Sequence, residues 1–279
     1  MTRHSPPHTL QLRTVDGCDL EPEHLLDVFA DQRRLLLDDL QSLEPGQWSA
    51  PSRCPGWSAH DTVRHLCDVG KAVAADPGDR TFDLGAGFDP RTTPNQWLAA
   101  SAGESPHATL ERLAATTEKA LGSARGRLAR DERFDVGLPY GPMDWTVQAL
   151  HVLWDSWLHE RDIFLALGVD RPVNTEATSY ATAYGLFIAG AVAQMFGDPV
   201  RQRLVLGGDG GGVFELDTHP CVTLTVTRTA MDGPPAAEVA DALAGRGSSM
   251  VLDGVPGEAR TALTHLANFF NTAVDDLPA

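Results

Sequence analysis

The sequence predicts an α+β protein in two parts, a helical bundle followed by a smaller mixed domain, and three observations carry that reading. Apolar residues recur at helical spacing in successive stretches between Pro22 and Phe196. Beyond Pro199 the pattern changes to short alternating, β-branched runs around a glycine-rich turn. At 279 residues the chain exceeds one ordinary domain, and its halves share no internal repeat. Residues 1–21 are then a tail, 22–198 the bundle and 199–279 the small α+β domain.

Taken in order, Pro6 and Pro7 make the N-terminal stretch a poor helix former, and EPEHLLDVFADQRRLLLDDLQSL forms the first helix, ending near Pro45-Gly46. The following GQWSAPSRCPGWSAHD is rich in Pro, Gly and Ser but carries Trp48 and Trp57, so it reads as an ordered loop packed on the bundle. Ser58 and Asp61 form an S-x-x-D capping pattern that starts a second helix over 59–75, stopped by Asp76-Pro77-Gly78. Residues 78–94 lack periodicity and read as a surface loop. A short helix over 95–102 precedes a longer one from Ser105-Pro106 to about Arg130. Two proline-containing turns in FDVGLPYGPMDW lead to Asp144, which caps the central helix, and that helix ends at Gly168. Asn174-Thr175-Glu176 opens the last helix of the bundle, in which Gly185 and Gly190 allow a neighbour close approach. In the second domain RLVLGGDGGGVFEL and CVTLTVTRTA read as strands, AAEVADALAG as a helix, SSMVLDG as a further strand and GEARTALTHLANFFNTAV as a terminal helix.

Composition excludes several function classes. A formal charge of −16 disfavours nucleic acid or an anionic membrane as partner. The four cysteines, Cys18, Cys54, Cys67 and Cys221, show no C-x-x-C spacing, so neither a disulfide framework nor a thiolate zinc site is indicated. No signal-peptide run or membrane span is read, and a soluble cytoplasmic protein is expected. The GGDGGG run lacks the ending of a phosphate loop, HERDI is not H-E-x-x-H, and no G-x-S-x-G elbow is present.

What remains is the central stretch LHVLWDSWLHERDIFLALG. At 100° per residue His151, Asp155, His159 and Asp162 share one stripe of a helix that is otherwise apolar nearly all round. Such a stripe points into protein, where imidazoles and carboxylates need partners. Asp155 and His159, at i and i+4, can reach one cation; a hydrogen-bonded His–Asp pair in a core is the alternative. His65, sharing a face with Asp61, Asp68 and Val69 on the second helix, is the candidate for a third ligand, because bundles build metal sites from facing helices. His65 alone also fits a satisfied core or surface histidine.

The run GQWSAPSRCPGWSAHDTVRHL, with D-x-x-x-H inside DSWLHERD, resembles the metal-binding bundle of mycothiol-dependent maleylpyruvate isomerases, a branch of the DinB-like helical bundles. The stretch from ALAGRG onward is similar to the sterol-carrier-like α+β domain that follows that bundle. The resemblance implies a DinB-like four-helix bundle holding a divalent metal, usually zinc, through His65, Asp155 and His159. His151 and Asp162, neighbours on the same stripe, and Asp61 are candidate partners that orient the ligating imidazoles, and the resemblance implies Arg246, with Arg228 second, as an arginine that contacts thiol or substrate. It also implies mycothiol, the sugar-linked thiol of actinobacteria, as cosubstrate. The family pattern has glutamate where this chain has Asp155, one methylene shorter. On that departure the sequence reading favours S-transfer from metal-bound thiolate to an electrophilic carbon, in detoxification or natural-product assembly. Its alternatives are maleylpyruvate cis–trans isomerisation and a non-catalytic small-ligand-binding protein.

Overall fold

The computed structural model describes residues 12–14, 22–76, 84–85, 87–138, 140–169, 171–247, 249–253, 255 and 257–269. The chain forms two compact units: residues 22–139 with 144–177, and residues 1–21 with 140–143 and 178–279.

The first unit is the helical bundle. Helices α1 (Pro22–Gln41), α3 (Ala59–Ala74), α5 (Pro106–Ala129) and α6 (Trp145–Phe164) pack on one another, with α1 and α3 each touching α5 and α6. Two short helices, α2 (Pro45–Trp48) and α4 (Thr93–Ala100), interrupt the connections. Leu36 and Leu40 of α1, Val63, Leu66 and Cys67 of α3, Leu113 of α5 and Ile163 and Phe164 of α6 meet in one core, with Trp48 and Ala59 from the loop side. Each Val, Leu, Ile or Phe among them contributes about 1.5–3 kcal/mol on burial. The expected caps are in place: the Ser58 hydroxyl accepts from Asp61 N, Ser105 from Ala108 N and Asp144 from Thr146 N. Of the expected loop over 78–94, residues 78–83 and 86 lie outside the described residues, and its last two residues already belong to α4.

Three local readings are corrected. The loop after α1 contains the turn of helix α2, whose four residues are too few for a periodic pattern. Between α5 and α6 the two turns belong to a ribbon of β2 (Asp135–Leu138) and β3 (Gly141–Asp144). Leu12–Thr14, read as tail, is a strand, β1, parallel to β6 (Thr223–Thr227).

The second unit carries a four-stranded sheet of order β1-β6-β5-β4, in which β4 (Arg201–Leu206), β5 (Gly212–Asp217) and β6 are antiparallel neighbours. Leu204 opposite Phe214 and Phe214 opposite Val226 put one buried row across the sheet, and Leu216 opposite Leu224 makes the next. GGDGGG is the β4–β5 turn, with Gly208 and Gly210 at positive φ; a Cβ on Gly210 would lie 2.7 Å from Ser179 N. Helix α7 (Thr175–Met195) joins this sheet from residue 178 onward, so the division at 198/199 expected from the sequence differs from the one observed. Gly190 explains the fit, since a Cβ there would stand 3.0 Å from Leu216 Cδ1. Helices α8 (Ala236–Leu243) and α9 (Gly257–Phe269) complete the unit. Within SSMVLDG, read as a strand, Ser249–Leu252 is a 3-10 turn that buries Leu252 and leaves Met250 73 % exposed, whereas a strand would put these two on one face. Among the described residues no helix is long and apolar enough to cross a membrane.

Candidate metal centre

The polar stripe of α6 faces α3 within the bundle. His65 Nε2 lies 3.5 Å from Asp155 Oδ1, and His159 Nε2 lies 3.4 Å from the same oxygen. The two imidazoles stand edge to face, centroids 4.8 Å apart at 83°. All three residues are buried. Thus the three residues expected from the sequence converge, two from one helix and one from another.

The capping box explains how α3 delivers His65. The Ser58 hydroxyl and backbone N–H both donate to Asp61 Oδ2, and Asp61 also accepts from Arg64, which fixes the start of α3 two turns before His65. Asp61, expected near the ligands, is committed to this cap; bonds to it hold its carboxyl below the usual range although burial opposes the charge. The preceding loop is fastened by a bridge between Pro51 and Ser58 and by Arg53 N, which donates to the Asp162 carbonyl at 2.9 Å. That loop lays Trp57 over the imidazoles, 5.0 Å from the His65 ring and 6.1 Å from that of His159. Trp57 Nε1 donates to Asn95 Oδ1 at 2.9 Å and so steadies the ring.

On the far side of His159 a second constellation appears. Nδ1 lies 3.0 Å from Asp162 Oδ2 and 3.4 Å from Cys54 Sγ, and the Cys54 thiol donates to Asp162 Oδ2 at 3.1 Å. Arg53 Nε is 3.5 Å from the other Asp162 oxygen. Asp162 therefore sits where a carboxylate orients a ligating imidazole by hydrogen-bonding its other nitrogen. The sequence spacing shows His159 and Asp162 on one stripe; it does not show Cys54 or Arg53, which come from a loop more than a hundred positions away.

Electrostatics follow from this geometry. Burial opposes charge on Asp155, but the two imidazoles outweigh it and hold the carboxyl well below its ordinary range. Burial also opposes charge on His159, yet Asp155, Cys54 and Asp162 raise it well above the ordinary imidazole value. Burial lowers His65, against the pull of Asp155. His151, tilted at 45° to the Trp154 ring with centroids 5.7 Å apart, is lowered by burial to about 4 and stays neutral.

Among the described residues, two groups bring metal-type ligand atoms together: His65–Asp155–His159 and Cys54–His159–Asp162. The first fits a divalent ion. Metal–ligand bonds of roughly 2.0–2.2 Å in a tetrahedron separate ligand atoms by about 3.3–3.6 Å, which brackets the two measured separations. Moreover, His65 Nδ1 and Asp155 Oδ2 are buried with no protein partner, as expected of groups arranged around something other than each other. In the second group each close approach is already a hydrogen bond, and Arg53 supplies positive charge beside it.

The two arginines proposed from the sequence lie in the sheet unit. Arg228 Cζ stands 5.5 Å over the Tyr180 ring, and Arg246 Nη1 donates to Ala244 O at 3.1 Å. Glu160 points away from the triad, as its angular position requires: it accepts from Gln32 and pairs with Arg171.

Residues 29–164 match the family model described as the mycothiol maleylpyruvate isomerase N-terminal domain. A crystal structure of a mutant of the mycothiol-dependent maleylpyruvate isomerase is similar in fold, with a TM-score of 0.57 over 85 % of this chain and 93 % of that one at 13 % identity. Curated proteins yield no match. Residues 29–164, within the helical unit, thus match the mycothiol maleylpyruvate isomerase N-terminal domain family, and the solved structure bears out the fold.

Proposed function

We propose that the protein is a metal-dependent enzyme that uses mycothiol, and that its reaction is a thiol-assisted cis–trans isomerisation of the maleylpyruvate class. The observation that carries the reading is the convergence of His65, Asp155 and His159 on one point, with one oxygen of Asp155 unpartnered, inside a domain of this family. A divalent metal, with zinc the best fit to two imidazoles and a carboxylate, would lower the pKa of a thiol bound to it. The chain's own residues hold and aim that site. Asp162 accepts a hydrogen bond from Nδ1–H of His159, so Nε2 offers its lone pair; Trp57 covers the imidazoles and limits water. The thiolate adds to one carbon of a conjugated cis double bond, the resulting single bond rotates, and expulsion of the same thiolate restores the double bond as trans. Atoms balance with no net consumption of thiol.

S-transfer, which the sequence reading placed first because of Asp155, becomes the second reading. Asp155, one methylene shorter than the family's glutamate, is the observation that favours it, since a metal held by a shorter carboxylate would suit a different acceptor. Mycothiol as cosubstrate would fit the reducing actinobacterial cytoplasm expected from the sequence. The deciding experiment is turnover of maleylpyruvate with mycothiol, with and without chelator, alongside metal analysis. Chelator-sensitive isomerisation with thiol recovered intact supports the first reading, and stoichiometric thiol consumption supports the second. Thiol-independent ligand binding with no turnover supports a non-catalytic binding protein and removes both.

A further inference from the structure

Both imidazoles of the candidate centre have an aspartate three residues further along the same helix, in a repeated H-x-x-D pattern: His65-Leu66-Cys67-Asp68 on α3 and His159-Glu160-Arg161-Asp162 on α6. On α6 the pair is joined, His159 Nδ1 lying 3.0 Å from Asp162 Oδ2 while Nε2 faces Asp155. On α3 His65 likewise turns Nε2 to Asp155, and its Nδ1 is buried with no protein partner among the described residues. Asp68 is 3 % exposed, and its Oδ2 is buried without a partner in the same way.

Two unsatisfied atoms of opposite kind thus belong to residues one helical turn apart. An imidazole that offers its Nε2 lone pair to a cation carries its proton on Nδ1, which makes that nitrogen a donor, and a carboxylate oxygen accepts. Residues three apart on a helix have Cβ atoms about 5–6 Å from each other, within reach of a side-chain hydrogen bond. The other oxygen of Asp68 is already committed: Oδ1 accepts from Lys71 Nζ at 2.8 Å and from Arg112 Nη1 at 2.9 Å, and Arg112 is itself held by both oxygens of Glu104. These bonds anchor Oδ1 and leave Oδ2 as the oxygen for His65. A buried donor and a buried acceptor each cost free energy while unpaired, and one bond between them removes both costs.

We infer that Asp68 is a positioning residue of the metal centre: in the metal-loaded protein its Oδ2 accepts from Nδ1–H of His65, so that each ligating imidazole is aimed by its own aspartate. The inference rests on the proposed metal site at His65, Asp155 and His159, and not on the reaction performed there.

The test uses zinc-loaded full-length protein, isotopically labelled in histidine nitrogen and studied by NMR. Two hydrogen-bonded Nδ1–H signals, shifted downfield and slow to exchange with water, are expected, each on a ring whose Nε2 is bound to zinc. Asp68→Asn should move one of them and Asp162→Asn the other. In competition with a chromophoric chelator, Asp68→Asn should weaken zinc roughly 10–100-fold at unchanged saturated stoichiometry. Asp68→Glu, which keeps the acceptor and its charge, should recover part of that loss. Arg112→Met breaks the same α3–α5 ion pair and should lower the melting temperature without a comparable loss of zinc. A single such signal in the wild type, wild-type zinc affinity in a folded Asp68→Asn, or an equal loss of zinc in Arg112→Met overturns the inference and leaves Asp68 to the ion pair alone. The wild-type spectrum decides even where Asp68→Asn does not fold. If zinc binds and both signals respond while mycothiol turnover is absent, the proposed activity fails and the positioning role stands; if the wild type takes up no zinc, the metal site and this inference fall together.

Discussion

Asp162 Oδ2 lies 3.0 Å from His159 Nδ1, three positions before it on the same helix, with the Asp162 side chain wholly enclosed. This contact fixes which nitrogen of His159 faces Asp155. Asp162→Asn is therefore expected to weaken metal affinity by roughly 10–100-fold while leaving saturated stoichiometry intact. Competition titration against a chromophoric chelator measures the change; unaltered affinity would show that Asp162 does not orient the ligand.

The two possible ligand groups share His159 and make opposite predictions elsewhere. His65→Ala, Asp155→Ala and His159→Ala should each abolish tight metal retention on dialysis. Cys54→Ser should retain metal at wild-type stoichiometry, because the Cys54 thiol acts here as a donor to Asp162. Metal analysis of the four purified variants decides, and a metal-free Cys54→Ser protein would favour the second group.

Metal binding should release a single proton near neutral pH. His65 is lowered and already neutral, Asp155 is already ionised, and only His159 holds a proton that the metal must displace. Zinc affinity should rise about tenfold per pH unit from roughly pH 6 until the raised His159 value is passed. Without metal the same group acts on stability in the opposite sense: its contribution is full below the unfolded value near 6.5 and is lost as pH rises through the folded one. A pH series of zinc competition and of metal-free melting tests both limbs.

His151 should control part of the acid limb. Its folded value of about 4 lies below the unfolded value near 6.5, so its contribution is present above about pH 6.5 and lost as pH falls toward 4. The loss is on the order of 3 kcal/mol. His151→Gln should flatten urea-derived stability across that interval; an unchanged slope would assign the acid sensitivity to other groups.

Capping chemistry provides a stability test away from the ligands. Ser58→Ala removes the hydroxyl that accepts from Asp61 N at 3.1 Å and should cost about 1 kcal/mol. Chemical denaturation measures it. Metal stoichiometry should be retained, since His65 lies two turns further along α3.

Much of the bundle was legible because its signals are local. The caps at Ser58, Ser105 and Asp144 sit where the sequence puts them, and the stripe of His151, Asp155, His159 and Asp162 follows from helical periodicity alone. The convergence with His65 was an expectation that two facing helices made concrete. Short elements such as α2, β2 and β3 escaped because four residues do not establish a period.

What only the tertiary structure decided are contacts between residues far apart in the chain. Cys54 meets His159 across 105 positions, and Gln32 meets Glu160 across 128. Neither leaves a trace in local spacing. Helix α7 is apolar on nearly every side, so its pattern named no partner; Gly190 against Leu216 and Thr218 assigned it to the sheet. Arg33 shares a helix stripe with Phe29, Leu36 and Leu40, and all four are buried. Its burial comes with the packing of α1 on α5 and α6, because periodicity specifies which side of a helix is turned inward but not what charge it will meet there.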